Sequence, residues 1–456
     1  MATKEFPLIP EAVDLVETKY RRIVTQIPVP ETVETLKKLR ELEPRSMGGQ
    51  PPIIWNSGRG ANVHDAYGNM WLDFSCGVLV TASGHGHPKI CAAIADMAAQ
   101  GLYHAYCFPT EARVRLVAKL TGLLPPPLAK VFLLTTGSEA TECCIKLARS
   151  HGQKLGGDRK SILVTFENAF HGRTMGAQWA GGSPGAKAWL GEADRRFVNV
   201  PYPDGFRQTD VSFDVFVKGL ADQGVDPADV CGVMSETYQG CNATLMPTEY
   251  ARKLRAWCDE HQAVLIFDEV QAGFGRCGKP FGFMNYGIVP DLAACGKGIS
   301  GGMPVSAVLG TAELMDQYGP GEMTSTHSGH PLCARAALAS LDIIEEEGLI
   351  ENARRMGEIL AAEICGQATR HQEVIAAANG RGLIMAIMFR GPDGQPGGAL
   401  AMRVVDYCVR HGVMLYAPLG PGGATVKINP PLMITEEALQ EGLSVFAEAI
   451  AASKST

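Results

Sequence analysis

Between about residue 85 and residue 330, short and nearly continuous apolar runs alternate with longer stretches of helical periodicity. An apolar run without polar alternation is typical of a strand that is buried on both faces of a sheet. Helical patterns, at residues 139–150 and 248–261 for example, separate these runs along the chain. Alternating strands and helices predict an α/β domain with a mostly parallel sheet. The strand candidates are residues 131–136, 162–166, 231–236, 264–268 and 305–310.

The segments on either side of this region have a different pattern. Residues 1 to about 50 are predicted to form helical arms interrupted by Pro28, Pro30 and Pro44. After residue 330, a long helical region, further strands and a last helix predict a smaller α+β domain. We therefore predict an N-terminal arm with a small-domain segment (1–84), a large α/β domain (85–330) and a C-terminal small domain (331–456).

Charge and cysteine usage disfavour several classes of partner. The formal net charge is −7 and there is no long basic run, which disfavours nucleic acid or an anionic membrane surface as the main partner. The first residues lack the apolar stretch of a signal peptide, and the apolar runs are too short to span a bilayer. The 13 cysteines form no CxxC pair, as is typical of reduced, buried thiols. We expect a cytoplasmic protein.

A candidate anion site follows the first strand of the large domain. The run 131–136 leads through Gly137 and Ser138 directly into a helical pattern, and Thr136 and Glu139 have the spacing of a capping box. The first amides of a helix and its positive dipole end favour an anion such as phosphate. Taken alone, the motif is better explained by an ordinary strand-to-helix turn, because such turns are common. The fingerprints GxxxxGK[ST] and GxGxxG are both absent from the sequence.

Two further side chains follow apolar strands of the same region. Asp268 ends the run 264–268, where a carboxylate is costly unless a cationic or hydrogen-bonding group meets it. Lys297 follows another apolar run and is flanked by Gly296 and Gly298, which leave room for a bulky group beside its amine. A desolvated lysine can form a Schiff base with an aldehyde. Taken alone, Asp268 can be explained as a capping residue and Lys297 as a surface lysine. The candidate anion site, Asp268 and Lys297 together in one α/β domain are harder to explain without a shared function.

These residues belong to a longer series of motifs that resembles the class III pyridoxal-phosphate aminotransferases of the 4-aminobutyrate and ornithine type. The resemblance extends from about Gly58 to the C-terminus and implies the fold-type-I architecture. The motifs are Asp73-Phe74, Gly84-His85-Gly86-His87-Pro88, Thr136-Gly137-Ser138-Glu139, Phe170-His171-Gly172-Arg173, Phe267-Asp268-Glu269-Val270-Gln271, Gly275-Arg276, Gly296-Lys297-Gly298, Thr326, Ser328-Gly329-His330-Pro331 and Arg381-Gly382.

The resemblance implies a role for each matching residue. Lys297 would form the Schiff base with pyridoxal phosphate and move protons, and Asp268 would keep the pyridine nitrogen protonated. The other cofactor residues would be Gly137 and Ser138 at the phosphate, Thr326 at the phosphate of a neighbouring subunit, Phe170 on the ring face, Gln271 near the ring hydroxyl, and Glu236 and His171 beside the ring. A homodimer or a dimer of dimers is therefore expected. Packing and turn formation explain His171 as well as catalysis does.

The substrate positions depart from the family pattern. Arg173 matches the usual ligand of a substrate carboxylate. In the 4-aminobutyrate type, a late arginine binds the carboxylate of the 2-oxo acid and a glutamate masks it; here these positions are Lys427 and Cys241. Because both members of that pair differ, 2-oxoglutarate is not assured as acceptor. Val78 and Phe170 stand where the decarboxylase subgroup has glutamine and tryptophan.

The resemblance implies transfer of the amino group of an ω-amino acid or primary amine to a 2-oxo acid such as pyruvate or 2-oxoglutarate. An amino-acid racemase or epimerase would use the same cofactor contacts and stays an alternative. A dialkylglycine-type decarboxylase is a further alternative, which the differences at Val78 and Phe170 disfavour. A regulator built on this fold would need a DNA-binding module or a lost lysine, and the sequence has neither feature. His85 and His87 lack an evident third ligand, so no metal site is predicted.

Overall fold

The computed structural model describes residues 5–241 and 244–454. These residues form two compact units: the chain up to His87 with the chain from Glu351 onward, and the continuous segment Pro88–Ile350. In the part of the chain described, no helix is both long enough and apolar enough to cross a membrane. The α-helices are Val33–Leu42, Pro88–Ala99, Glu111–Gly122, Gly137–Gly156, Met175–Ala180, Pro184–Lys187, Asp214–Asp222, Thr248–Glu260, Ala312–Met315, Pro331–Glu346, Leu349–Arg370, Gly398–Arg410 and Glu436–Lys454.

The segment Pro88–Ile350 is built on a seven-stranded sheet. Four neighbouring pairs are parallel, while Ser306–Thr311 is antiparallel to the strands on both sides of it. This mixed, mostly parallel sheet confirms the predicted α/β class. In spatial order, the strands are Leu128–Leu134, Ser306–Thr311, Leu292–Cys295, Val264–Asp268, Val230–Glu236, Ile162–Phe166 and Phe197–Val200.

All five strand candidates are present, with shifts of a few residues at most. The edge strand Phe197–Val200 is absent from the predicted set because it has only four residues and contains the polar Asn199. The helix Gly137–Gly156 packs against the central strands, and a Cβ atom at Gly152 would lie 2.5 Å from the Cβ atom of Cys231 on strand Val230–Glu236. Glycine is therefore required where this helix meets the sheet.

The carboxyl ends of three neighbouring strands bring the predicted polar residues to one edge of the sheet. Asp268 and Glu236 end adjacent parallel strands and lie opposite each other in register. The next strand, Leu292–Cys295, ends two residues before Lys297. Ligands of α/β sheets bind at this edge, so the topology places these residues where a ligand is expected.

The other unit contains two sheets. The larger has the strand order Val16–Glu17, Arg22–Ile23, Met70–Asp73, Asn62–His64 and Ser57–Arg59, with Val413–Met414 parallel to Met70–Asp73. The smaller has the order Ile375–Gly380, Met385–Phe389 and Thr425–Ile428, all antiparallel.

Two details of the predicted organisation differ from the structure. The expectation of helical arms over residues 1 to 50 is only partly met, because the described part has one α-helix, Val33–Leu42, together with two-residue strands. Helix Pro331–Glu346, predicted to begin the C-terminal domain, packs against Pro88–Ala99 inside the other unit. The limit between the units lies after Ile350 and not after residue 330, because the apolar face of that helix is buried there.

A single turn at Cys76–Leu79 has an unusual backbone. All four residues have positive φ, from 53° at Cys76 to 68° at Leu79, and only Gly77 is glycine. For an L-residue this left-handed conformation costs roughly 1–2 kcal/mol, and consecutive examples are rare. Surrounding contacts must therefore hold the turn.

Candidate active site

One cavity of about 160 Å³ lies in the segment Pro88–Ile350, at the carboxyl edge of the sheet. The structure brings together in its wall eight of the nine residues predicted to bind the cofactor. Those eight are Gly137, Ser138, Phe170, His171, Glu236, Asp268, Gln271 and Lys297.

The first turn of helix Gly137–Gly156 forms one wall of the cavity. Thr136 Oγ1 accepts a hydrogen bond from Glu139 N at 3.2 Å, and Glu139 Oε2 accepts one from Thr136 N at 2.9 Å. The predicted capping box is therefore present. The capping box satisfies only some of the backbone N–H groups at the start of the helix, because the first-turn amides have no hydrogen-bond partners within the helix. The turn is consequently suited to hold an anion.

Lys297 lies at the start of a short 3₁₀ helix that follows strand Leu292–Cys295. Desolvation lowers the pKa of its amine, against the opposing influence of Asp268 and Glu236. The residue is nevertheless only partly buried, because it borders the cavity. A lowered pKa increases the fraction of neutral amine, the form that attacks a carbonyl carbon.

Asp268 is 6% exposed and faces the same cavity. Its Oδ2 atom is 2.9 Å from His171 Nδ1, and its Oδ1 atom accepts a hydrogen bond from Val270 N at 3.0 Å. The His171 Nε2 atom is buried and has no hydrogen-bond partner among the described residues. A buried carboxylate with two donors retains acceptor capacity for a cation or a donor in the cavity.

Glu236 connects two segments that border the cavity. Its Oε1 atom accepts a hydrogen bond from Phe170 N and its Oε2 atom accepts one from Gly240 N, each at 2.8 Å. Burial, with a further contribution from the Asp268 charge, raises the pKa of Glu236 to about 7, although His171 and these backbone donors oppose the rise. Glu236 therefore fixes the backbone of Phe170, and its burial favours the protonated form of its carboxyl group.

Comparison with known proteins agrees with this geometry. The model of the family described as aminotransferase class-III matches residues 45–450. The chain belongs to the class III aminotransferases. It is 33% identical to the acetylornithine aminotransferase of Bifidobacterium longum, over 88% of this chain and 92% of that protein. It is 30% identical to the 4-aminobutyrate aminotransferase of Mycobacterium leprae, over 94% of this chain and 97% of that protein.

A solved structure extends the comparison to the fold. An amine transaminase from an uncultivated Pseudomonas species, in its pyridoxal-phosphate-bound form, matches with a TM-score of 0.80 and 27% identity. The match covers 88% of this chain and 95% of that one. The fold-type-I architecture, the aminotransferase activity class and the cofactor pyridoxal phosphate are thereby confirmed.

The cavity of this class III aminotransferase fits the cofactor chemically. Pyridoxal phosphate carries a phosphate, a basic ring nitrogen and an aldehyde, which match helix amides, a carboxylate and an amine. A Cβ atom on Gly137 would lie 3.1 Å from Val270, and one on Gly296 would lie 3.6 Å from the Gly137 Cα atom. Gly137 therefore lets the anion-binding turn pack closely against Val270, whereas a Cβ atom on Gly296 would make an ordinary van der Waals contact.

The remaining predicted site residues of the aminotransferase lie outside this wall. Thr326 is exposed on the loop before helix Pro331–Glu346. The Arg173 guanidinium lies 5.5 Å from the centre of the Phe170 ring, and Cys241 directly precedes the undescribed residues 242 and 243. Val78 and Lys427 belong to the other unit, where Val78 is 44% exposed and Lys427 is 2% exposed on strand Thr425–Ile428.

Other residues of the site were not predicted. Thr136, Gly172 and Val270 also border the cavity, and a Cβ atom on Gly172 would lie 2.4 Å from Ser138 Oγ. Glu142 accepts hydrogen bonds from Thr174 Oγ1, Gly176 N and Ala177 N. It thereby fixes the helix start that follows Arg173. The motif around Gly172 could have indicated that residue, whereas nothing local to Glu142 indicates its role.

His85, which the sequence analysis considered as a metal ligand, is paired with an aspartate in the structure. Its Nε2 atom lies 2.7 Å from Asp73 Oδ2 within the unit that contains both residues. Across residues 5–241 and 244–454, no group of three or more His, Cys, Asp or Glu residues has an arrangement that could hold a metal ion.

Proposed function

We propose that this aminotransferase transfers the amino group of an ω-amino acid or primary amine to a 2-oxo acid, with Lys297 as the lysine that binds the cofactor. The observation that carries the proposal is the convergence of Lys297, Asp268 and the first turn of helix Gly137–Gly156 on one cavity. The 30% identity to a 4-aminobutyrate aminotransferase supports an ω-amino acid, because 4-aminobutyrate belongs to that class.

Each residue of the cavity would have a separate role in the reaction. Bound pyridoxal phosphate supplies an electron sink for the negative charge that develops when the donor loses a proton. The Lys297 amine would bind the cofactor, and its Nζ atom would hold and move the proton. The Asp268 carboxylate would keep a proton on the ring nitrogen, and His171, 2.9 Å away, would orient that carboxylate. Gly137 and Ser138 would hold the phosphate, and Phe170 and Gln271 would hold the ring.

Four residues are proposed to contact substrates: Val78, Arg173, Lys427 and Cys241. Lysine offers a compact, hydrated charge, whereas arginine offers a planar fork that binds a carboxylate through two hydrogen bonds. We therefore expect weaker discrimination among 2-oxo acids, with pyruvate favoured relative to 2-oxoglutarate. Acceptor rates should be compared in the parent, in Lys427→Arg and in Lys427→Arg with Cys241→Glu. An unchanged ratio of 2-oxoglutarate to pyruvate in the double variant would exclude Lys427 as the selector.

The assembly belongs to the same proposal. Thr326 is exposed, as a residue that reaches the phosphate of a neighbouring subunit would be in an isolated chain. A homodimer or a dimer of dimers and a cytoplasmic location stay predictions from the sequence. Sedimentation of a dilute, fully active sample would test the assembly, and full activity of a monomer would contradict it.

Borohydride reduction of the holoenzyme followed by peptide mapping tests the central assignment. The pyridoxyl group should be found on Lys297 and should be absent from Lys297→Ala, while the exposed Lys279 provides a matched control in Lys279→Ala. A panel of amino donors against pyruvate and 2-oxoglutarate then tests the reaction. Label on another lysine would contradict the role of Lys297, and racemisation of an amino acid without consumption of a 2-oxo acid would contradict transamination.

A further inference from the structure

An irregular segment, residues 170–174, precedes helix Met175–Ala180 and carries Phe170 and Arg173. Phe170 borders the cavity, and the Arg173 guanidinium lies 5.5 Å from the centre of the Phe170 ring. The Arg173 side chain is long and exposed, so it has many rotamers. The position of its backbone therefore limits where the guanidinium can lie, and the groups that fix this backbone affect what Arg173 can bind.

The helix whose first turn borders the cavity also fixes this segment. Ser138 Oγ accepts a hydrogen bond from Arg173 N at 3.4 Å, and Thr141 Oγ1 donates one to His171 O at 2.7 Å. Glu142 is the third helix residue in contact with the segment. Because the three helix residues are three or four positions apart or adjacent, they share one face of the helix. The phosphate turn and the segment that carries Arg173 are therefore held by the same helix.

Glu142 contacts the segment through one carboxylate oxygen. Its Oε1 atom accepts hydrogen bonds from Thr174 Oγ1 at 2.6 Å, Gly176 N at 2.7 Å and Ala177 N at 3.1 Å. A Cβ atom on Gly176 would lie 2.3 Å from Glu142 Oε2, so glycine leaves the room that the carboxylate occupies. The two amides belong to the first turn of a helix, where no partner exists within the helix. A charged acceptor satisfies them and fixes the chain directly after Arg173.

Arg173 is thereby restrained on both sides. Its own amide donates to Ser138 Oγ at 3.4 Å, whereas the hydroxyl of Thr174, the next residue, donates to Glu142 at 2.6 Å. The shorter bond to a charged acceptor is the stronger restraint. A guanidinium binds a carboxylate best through two parallel hydrogen bonds, which requires a defined orientation. Loss of the Glu142 acceptor would broaden the range of orientations and weaken the binding of a carboxylate.

We propose that Glu142 is a positioning residue for Arg173 and thereby sets the preference for amino donors that carry a carboxylate. The inference rests on the proposed function, because that function assigns Arg173 to the substrate. Among the described residues, Glu142 is not part of the cavity wall. Its effect passes through Thr174 and concerns the binding of the donor carboxylate, while the proton transfer at Lys297 is unaffected.

Hydrogen exchange of the holoenzyme measures the restraint directly. In Glu142→Leu, which keeps a side chain of similar size without an acceptor, we expect the amides of Gly176 and Ala177 to exchange about tenfold faster, as the loss of charged hydrogen bonds implies. Glu142→Gln keeps an oxygen acceptor and should restore most of the protection. Glu313→Leu, the same substitution at a side chain that is 80% exposed in the same unit, should leave these amides unchanged. Cofactor absorbance should be equal in all four proteins.

Steady-state kinetics measure the consequence for the donor. For the ω-amino acid that reacts fastest in the donor panel, KM should rise about tenfold in Glu142→Leu while kcat changes less than about twofold. KM for an unbranched amine without a carboxylate should stay the same. Glu142→Gln should restore KM, and Thr174→Val, which removes one of the three donors, should raise it about threefold. Glu313→Leu should match the parent.

The Arg173→Ala background separates positioning from a general loss of structure. If Glu142 acts through Arg173, kcat/KM for the ω-amino acid in Glu142→Leu with Arg173→Ala should equal that in Arg173→Ala alone. A general loss of structure would lower kcat/KM further, and it would lower kcat/KM for the amine as well.

Three results would overturn the inference and leave the proposed function intact: unchanged exchange in folded Glu142→Leu, an unchanged KM for the ω-amino acid, or a further loss of kcat/KM in the double variant. A parent that accepts amines but no ω-amino acid would do the same. If Glu142→Leu does not fold, an unchanged KM for the ω-amino acid in Thr174→Val overturns the inference. Absence of amino transfer in the parent with every donor would instead overturn the proposed function, and the inference with it.

Discussion

In each unit of the protein a buried aspartate is paired with a histidine, and the two pairs have different surroundings. Asp268 and His171 are 2.9 Å apart, and Asp73 and His85 are 2.7 Å apart. The Asp268 carboxylate accepts one further hydrogen bond, from Val270 N, and borders a cavity. The Asp73 carboxylate accepts four further hydrogen bonds from Ser75, Cys76 and Gly77.

The difference shows that the number of hydrogen-bond donors around the buried carboxylate distinguishes a structural aspartate–histidine pair from one that can bind a ligand. At Asp73 the acceptor capacity is filled by the protein, so the pair stabilises a local backbone conformation. At Asp268 capacity remains on the cavity side, and the second nitrogen of His171 is also without a partner in the described chain. An incompletely satisfied buried pair is costly unless a ligand completes it.

Asp268→Asn provides the largest expected effect. Asparagine can keep the contact with Val270 N but cannot hold the ring nitrogen protonated, so kcat should fall about a hundredfold or more, on the order of 3 kcal/mol in the barrier. The thermal unfolding midpoint should change little. Steady-state kinetics and thermal unfolding of the same samples check both parts. Turnover near that of the parent would show that the two pairs do not differ in function.

Asp73→Asn should have the opposite signature. The amide NH₂ group would face backbone donors, and loss of charged hydrogen bonds should lower stability by about 2 kcal/mol. We expect a clearly lower thermal midpoint and retained cofactor absorbance. A midpoint equal to that of the parent would contradict the anchoring role.

His171→Asn tests the smallest effect. Loss of the contact with Asp268 should reduce kcat about five- to tenfold, as the net value of one hydrogen bond implies. If His171 acts through Asp268, the double variant with Asp268→Asn should be no slower than Asp268→Asn alone. If the loss of kcat in the double variant equals the product of the losses in the two single variants, His171 has an independent role.

The sequence predicted the cavity well and the other unit poorly, for a physical reason. Asp268, Glu236 and Lys297 follow strands of one sheet, so local apolar runs and sheet topology suffice to bring them together. In the other unit, Asp73 accepts a hydrogen bond from Ser75 N and Asn429 donates one to Ser75 O, although Asp73 and Asn429 are far apart in the sequence and share no pattern. The four positive φ angles at Cys76–Leu79 were also unforeseeable, because only Gly77 favours them locally.

The division of the chain between the two units has a consequence for synthesis. Pro88–Ile350 is continuous, so all of its strands have left the ribosome before the C-terminal segment is made. Strand Met70–Asp73 must wait for its parallel neighbour Val413–Met414, and Phe74 N must wait for the Met414 carbonyl group. Domains fold as units during translation. The unit Pro88–Ile350 can therefore be complete on the nascent chain while the unit that carries Val78 still lacks the strand Val413–Met414 and depends on the last hundred or so residues.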